Sequence, residues 1–394
     1  MKILMVLDTE FPDRRVEKEA KTLIHEGHDV SVICYSSPGE NKKKGNYKGI
    51  NLIKFKLNRS IRNKLYTLYL IFPVYKLIWQ YHIEKTLKKN PYDALHIHDL
   101  PLSSIGVKMK KKYGIKLICD QHEYYSNWIV QAAHYNTFIG RIIKSMSNWK
   151  KYERNNLRLA DLIVTIEEPL KKEYINKIGI KPNKIITLPN TPRNYIFNEN
   201  NIDQNIIEKY KNNFVLFYAG GIDILRGIDI ILNSLPKLKE KIPEIKFVMA
   251  GRILRKYDPI GMAKKLGVSD VVDYIGYLPI EQLPSYMAAS KIGVFTPPVN
   301  REEINKTIAT KIYQYARMGI PIITSKAKMM KEFVEKNEIG FSIETMEEFI
   351  QIILFLYNNP RAYKKMSENS YRTGKKYIWE ETSLRLVDAY KKLM

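Results

Sequence analysis

Lys2-Ile3-Leu4-Met5-Val6-Leu7 is a nearly unbroken apolar run, the pattern of a parallel strand buried on both faces. Asp13-Arg14-Arg15 then opens a helical pattern in which Val16, Ala20, Leu23 and Ile24 share one face, and Gly27 stops it. Val30 to Cys34 is the next strand. Strand, helix and second strand make one βαβ unit, which commits the chain to an α/β sheet covered by helices.

The rhythm repeats. Ala94 to His98 reads as a short strand, Ser103 to Tyr113 as a helix and Ile115 to Asp120 as a strand. Met146 to Leu159 reads as a polar-faced helix, with strands at Leu162 to Ile166 and Lys184 to Leu188. An Asn-rich stretch with few apolar residues follows, and a second strand–helix series begins at Phe214 to Ala219. It continues through Lys246 to Ala250, Val272 to Ile275, Ile292 to Phe295 and Pro321 to Thr324. The expected organisation is a first domain over 1–190, a linker over 191–212, a second domain over 213–375, and a last helical segment over 376–394. Two α/β halves joined by one linker imply a cleft, and such sheets bind ligands at the carboxyl ends of their strands.

Composition narrows the class. The 394 residues contain two cysteines, Cys34 and Cys119, which excludes a disulfide scaffold and a Cys-rich zinc module. No apolar run is long enough to span a bilayer. Only five apolar residues, Ile3 to Leu7, follow Lys2 before Asp8 and Glu10, so no cleaved leader is expected. The expected location is the cytoplasm, or the inner face of the cell membrane as a peripheral protein. The net charge is +24, of which residues 1–190 carry 34 basic and 18 acidic groups, or +16. Between Glu40 and Glu84 there is no acid and there are ten Lys or Arg. Such a surface seeks anions: nucleic acid, a phosphorylated substrate or anionic lipid. Here Leu65, Leu68, Tyr69, Phe72 and Trp79 follow helical spacing beside Lys64 and Lys76, with Pro73 as an interruption. The stretch 41–83 reads as a face for an anionic membrane, as a packed helix with a solvated basic side, or as a nucleic-acid surface. The membrane is the favoured partner of the three, and nucleic acid the least favoured.

Two motifs carry candidate chemistry. In Tyr218-Ala219-Gly220-Gly221-Ile222-Asp223-Ile224-Leu225-Arg226-Gly227 a strand runs into a diglycine, and Arg-Gly precedes a helix. Glycines let backbone N–H groups approach a phosphate, and an arginine can fork onto a diphosphate. The Gly-Lys-Ser/Thr ending of a P-loop is absent. The second motif is a polar loop from Asn305 that enters a helix at Thr310 and stops at Gly319-Ile320-Pro321. Lys311 lies in its first turn and Gln314 one turn on.

Together these motifs resemble the C-terminal domain of retaining nucleotide-sugar glycosyltransferases of the GT-B fold, family 4. Gly220-Gly221 with Arg226-Gly227 resembles the family's diphosphate loop, and Thr310 to Pro321 its Asn-Lys-Leu-Phe-Glu-Tyr-Met-Ala-Ala-Gly-x-Pro signature. Ala250-Gly251-Arg252 and Tyr274-Ile275-Gly276-Tyr277-Leu278 resemble the segments flanking the nucleotide base. In the first half, Asp13 to Ala20 and Asp120-Gln121-His122-Glu123 match as well. The resemblance implies two Rossmann-like domains facing a central cleft, with the last helix returning to the first domain. It implies a nucleotide-sugar donor, a UDP- or GDP-sugar, held by Gly220, Gly221, Gly227, Arg252, Tyr277, Thr310 and Gln314. His122, Arg226 and Lys311 would be catalytic, with Asp13, Arg15, Asp120 and Glu123 on the acceptor side. A glycan or lipid-linked acceptor, retention of anomeric configuration, and no metal or other cofactor are implied in the same way.

The match departs from the family at two places. The second of its two usual glutamates is Gln314 here, and the first falls at Lys306, with Glu302 and Glu303 nearby. Asp8 to Asp13 stands where a glycine-rich turn usually follows the first strand. His96-Ile97-His98-Asp99 and Asp120-Gln121-His122-Glu123 both end strands. His-x-His with an aspartate can also bind zinc, and strand-end histidines can simply satisfy backbone groups. The competing functions are a sugar-nucleotide epimerase or hydrolase of related fold, and a non-enzymatic basic protein that binds nucleic acid or membrane.

Overall fold

The computed structural model describes residues 1–36, 39, 44–67, 73–123, 125, 146–254 and 257–394. They form two α/β units, Met1–Pro189 with Ser383–Met394, and Asn190–Thr382.

Among the described residues the first unit has eight strands. They are β1 (Lys2–Glu10), β2 (Asp29–Tyr35), β3 (Lys44–Tyr47), β4 (Ile50–Phe55), β5 (Ala94–His98), β6 (Lys116–Gln121), β7 (Leu162–Thr165) and β8 (Ile185–Thr187). Their order is β3-β4-β2-β1-β5-β6-β7-β8, parallel throughout except for the β3–β4 pair at one edge. The apolar run of β1 follows from its central place, parallel to β2 on one side and β5 on the other. Helix α1 (Arg14–His25) starts where Asp13 accepts hydrogen bonds from the Arg15 and Val16 amides at 2.9 and 3.0 Å. The parallel register brings the carboxyl ends of β1, β5 and β6 together. Asp8, His98-Asp99 and Asp120 to His122 therefore stand along one edge of the sheet.

The second unit has six parallel strands among the described residues: β9 (Phe214–Ala219), β10 (Ile245–Ala250), β11 (Val272–Tyr274), β12 (Ile292–Phe295), β13 (Ile322–Ser325) and β14 (Gly340–Ile343). Their order is β11-β10-β9-β12-β13-β14. Here too the ends of the two central strands, β9 and β12, carry the motif residues.

Two expected boundaries move. Residues 191–212 are not a bare linker. They hold a short turn at Glu199–Asn201 and a helix at Gln204–Tyr210, and Ile196, Phe197 and Tyr210 are buried in the second unit's core. Ile206 packs against the same core, and the Tyr210 hydroxyl reaches Asp273 at 3.0 Å. The return to the first unit begins at Ser383 rather than at 376. Trp379 still donates its amide to the Pro192 carbonyl at 2.7 Å, and the Glu380 carboxylate accepts the Asn194 amide. From there Arg385 donates to the Thr187 carbonyl at 3.1 Å, and Tyr390 meets His96.

The acid-free stretch divides into the β3–β4 hairpin and two helices, α2 (Arg59–Thr67) and α3 (Val74–Lys89), with Pro73 at the start of the second. Leu68, Tyr69 and Phe72 lie outside the described residues. Phe55, Tyr75 and Trp79 are buried, so these aromatics belong to the core and not to a surface stripe. The outer face of α3 exposes Val74, Leu77 and Tyr81. Trp79→Ala should therefore cost about 3–5 kcal/mol in urea unfolding, as for other buried aromatics. Tyr81→Ala, two residues further along the same helix but exposed, should stay within about 0.5 kcal/mol.

Candidate functional site

In the first unit the organising residue is Arg15. Its Nε and Nη2 donate to the two carboxylate oxygens of Asp120, each at 3.0 Å, and Nη1 donates to the Leu188 carbonyl at 2.9 Å. Glu19, one turn further along α1, lies 3.0 Å from Nε. Burial works against the Asp120 charge, but Arg15 and His122 hold its carboxyl well below the usual range. Burial and the Asp120 charge push Glu19 well above its usual range, despite Arg15. Burial also lowers His96 and His98. His122 goes the other way. Burial disfavours its charge, yet Asp99 Oδ2 at 3.7 Å and Asp120 Oδ2 at 3.2 Å raise it to about 10. At neutral pH the site therefore holds Arg15 and His122 as cations, Asp120 as an anion, and His96, His98 and Glu19 uncharged. His98 Nδ1 lies 3.0 Å from His122 Nε2, and the His96 ring stacks on His98 at 4.4 Å. His122 can donate hydrogen bonds. It is not a free base.

Glu19, His96, His98 and Asp120 each offer an atom within 4.8 Å of the others, the spacing of a metal site. A guanidinium already lies on both carboxylates, so a metal ion would have to compete with Arg15 for them. Asp13 serves as the cap of α1, and Glu123 is exposed. The structure thus gathers Arg15, Asp120 and His122, and adds Glu19. A carboxylate on the same face as Val16, Ala20 and Leu23 was the available sequence signal for Glu19.

In the second unit β9 runs into Gly220 and Gly221. Gly220 adopts φ 148°, and a Cβ there would meet the Lys311 ammonium at 3.0 Å. Gly227, φ 74°, would drive a Cβ to 1.9 Å from the Thr296 carbonyl. Lys311 Nζ sits 4.6 Å from the Tyr218 ring centre and 4.0 Å from that of Phe295. Burial against these rings, with the Arg226 charge, lowers the amine to about 7. The Arg226 guanidinium and the Lys311 amine thus lie within electrostatic reach of each other at a glycine turn. The Ile228–Lys241 helix and the Thr310–Arg317 helix both begin there without a side-chain cap. Arg252 lies over the Tyr277 ring at 5.3 Å, and its loop is tied to the diglycine by Ile222 N–H to Arg252 O at 2.9 Å. Thr310 opens its helix, and Gln314 is largely buried one turn on. Glu302 pairs with Lys306 and Glu303 with Arg301.

Because the His122 affinity for its proton is raised on folding, its contribution to stability is complete below about pH 6.5 and is lost as the pH rises through about 10. The stability gap between native protein and His122→Gln, measured by urea unfolding from pH 6 to 10.5, should close toward the alkaline end. A constant gap would contradict the imidazolium.

Comparison with known proteins identifies the family. Residues 13–191 match the model for Glycosyltransferase Family 4, and residues 199–373 that for Glycosyl transferases group 1. An uncharacterized glycosyltransferase of Haemophilus influenzae is 24% identical over 372 residues, 91% of this chain and 90% of that protein. Sucrose-phosphate synthase from Thermosynechococcus elongatus superposes with a TM-score of 0.77 at 14% identity, over 100% of this chain and 98% of that one. HepE of Anabaena in complex with UDP gives 0.72 at 14% identity, over 100% of both chains. The chain is a glycosyltransferase of GT-B type, with a Family 4 domain followed by a group 1 domain.

Proposed function

We propose that the chain moves a sugar from a nucleotide-diphosphate-sugar to a glycan or lipid-linked acceptor, with retention of configuration and without a metal. The observation that carries the reading is the pair Arg226 and Lys311 at the glycine turn, beside two uncapped helix N-termini. Four sources of positive potential converging on one turn suit a diphosphate, whose charge grows as the sugar departs. In this reading Gly220, Gly221 and Gly227 keep the turn open for the phosphates. Arg252 and Tyr277 flank the base, and the Thr310 end and Gln314 meet the ribose side. Lys311 and Arg226 stabilise the leaving group in place of a divalent ion. UDP is the first base to test, given the UDP bound by the fold neighbour HepE.

On the acceptor side, His122 as an imidazolium donates a hydrogen bond to a sugar hydroxyl. Arg15 and Asp120 fix its position, and Asp13 fixes the start of α1. No carboxylate nucleophile is assigned. The departing phosphate steers the acceptor on the same face of the sugar, and product anomeric configuration, read by proton NMR, checks this. A lipid-linked acceptor is supported by α3, where exposed Val74, Leu77 and Tyr81 are followed along the helix by Lys85 and Lys88. No helix among the described residues is long and apolar enough to cross a membrane.

The deciding experiment is a thermal-shift panel of UDP, GDP, ADP, CDP and dTDP, with a short oligonucleotide as control. At 100 times its dissociation constant a ligand adds about 2.7 kcal/mol. One diphosphate should raise the melting temperature, and Arg226→Ala should abolish the rise. A shift with the oligonucleotide alone would move the function to the basic surface. Conversion of the sugar nucleotide to its epimer without acceptor would favour an epimerase.

A further inference from the structure

A cavity opens in the first unit away from the residues that Arg15 gathers. It measures about 990 Å³ and lies over β2 and β4, beside the second half of α3. The strand register fixes its side of the sheet. Ser31, which lines it, stands beside Leu4, and Leu4 beside Leu95. Val32, Met5 and His96 form the next rank, and their side chains point the other way. His98 shares the face of His96, and Asp120 is its partner on β6. The cavity therefore faces away from the histidines and from Asp120. Its floor is apolar, with Ile33, Ile53 and Phe55. The His82 ring of α3 stacks on Phe55, 4.0 Å between centres and 13° between planes. Burial lowers the proton affinity of His82, and the Lys85 charge adds to this. Charge collects on the walls. Six lysines line the cavity, Lys2, Lys44, Lys54, Lys56, Lys85 and Lys89, against one acid, Asp29. That acid is already engaged, by Lys2 at 4.0 Å and by the Asn51 side-chain amide at 3.3 Å. Lys44, opposite Ile53 on β3, and Lys85 and Lys89 on α3 pair with no carboxylate among the described residues.

We propose that this cavity binds a nucleoside polyphosphate, at a site separate from the sugar-donor site of the second unit: the base lies against His82, and the phosphates run along α3 between Lys89 and Lys44. The inference does not depend on the transferase reading. Three features carry it. The size falls within the roughly 300–1,000 Å³ of small-molecule sites, and a concave wall of one charge sign focuses its field on what enters. The excess of five positive charges calls for a ligand with several negative charges in a small volume. A polyphosphate tail meets that demand, whereas a carboxylated glycan brings about one charge per sugar ring. The third feature is the order of groups along α3. His82, Lys85, Thr86 and Lys89 recur at the spacing of one helix face. Seven residues at about 1.5 Å each set His82 and Lys89 about 10 Å apart along the axis, with the flat ring at one end and the charge at the other. A bilayer surface is flat, and Lys44 stands across the cavity from α3, so a trough fits a small molecule better than a membrane.

The test is isothermal titration of ATP into the full chain, alone and with saturating UDP. One ATP should bind per chain in both cases. Lys44→Ala combined with Lys89→Ala should weaken ATP by at least about tenfold, the worth of one charge-assisted hydrogen bond. The same variant should leave the UDP thermal shift unchanged, which shows that fold and donor site survive. Lys375→Ala combined with Lys376→Ala, exposed in the second unit, should leave ATP binding within about twofold of native. His82→Ala should weaken ATP and not inorganic tripolyphosphate, and His82→Phe, which keeps a ring to stack on, should restore ATP. ATP binding that UDP abolishes would place the ligand in the donor site and overturn the proposal. So would binding that the Lys44 and Lys89 changes leave within about twofold of native, which would make it a general property of a basic surface. Tripolyphosphate binding as tight as that of ATP would overturn the place given to the base, and absence of any ATP binding would overturn the whole. ATP binding as expected in a chain that no nucleoside diphosphate stabilises would count against the transferase reading and leave this site standing.

Discussion

A guanidinium that is 4% exposed must find its hydrogen bonds inside the protein, and Arg15 does so by reaching from α1 to β6 and to Leu188. The bidentate contact lets Asp120 stay ionised where water cannot reach it. That buried negative charge then sets the state of its neighbours. It pushes the Glu19 carboxyl toward its neutral form and favours a charged His122. His96 and His98, with no carboxylate strong enough to offset burial, stay neutral. One ion pair therefore sorts three histidines and two carboxylates into defined roles at the edge of the sheet.

The second unit solves a different electrostatic problem. Arg226 and Lys311 repel each other, and Lys311 leans on two aromatic faces in place of an acid. Burial and the nearby guanidinium lower the amine to about 7, so the proton on Lys311 is held loosely. Glycine at 220 and 227 is part of the same arrangement, because a side chain at either position would enter space taken by Lys311 or Thr296.

Much of the architecture was legible because parallel strands buried on both faces must be apolar throughout. Every strand of that kind, from β1 to β13, stands out in the sequence. The strands that were not legible are the β3–β4 hairpin and β14. β3, Lys44 to Tyr47, is a polar edge strand with nothing to bury, so it leaves no pattern. The helix over Val74–Lys89 was blurred for another reason: its apolar residues point both into the core and outward. At the sites, the glycine turn and the residues Arg15, Asp120, His122, Arg226 and Lys311 could be found by motif. Glu19 shows in the sequence only as a carboxylate on the apolar face of α1, and its raised proton affinity comes from burial and from Asp120, distant in sequence.

The discontinuity of the first unit has a consequence for the order in which it is made. A ribosome delivers residues 1–189 first, then all of the second unit, and only afterwards Ser383–Met394. Until then His96 lacks its 2.9 Å hydroxyl partner Tyr390, and the Thr187 carbonyl lacks Arg385. The histidine stack next to His122 is therefore capped by a segment made after the whole second unit. Residues 1–189 therefore lack part of their own unit until Ser383–Met394 are made.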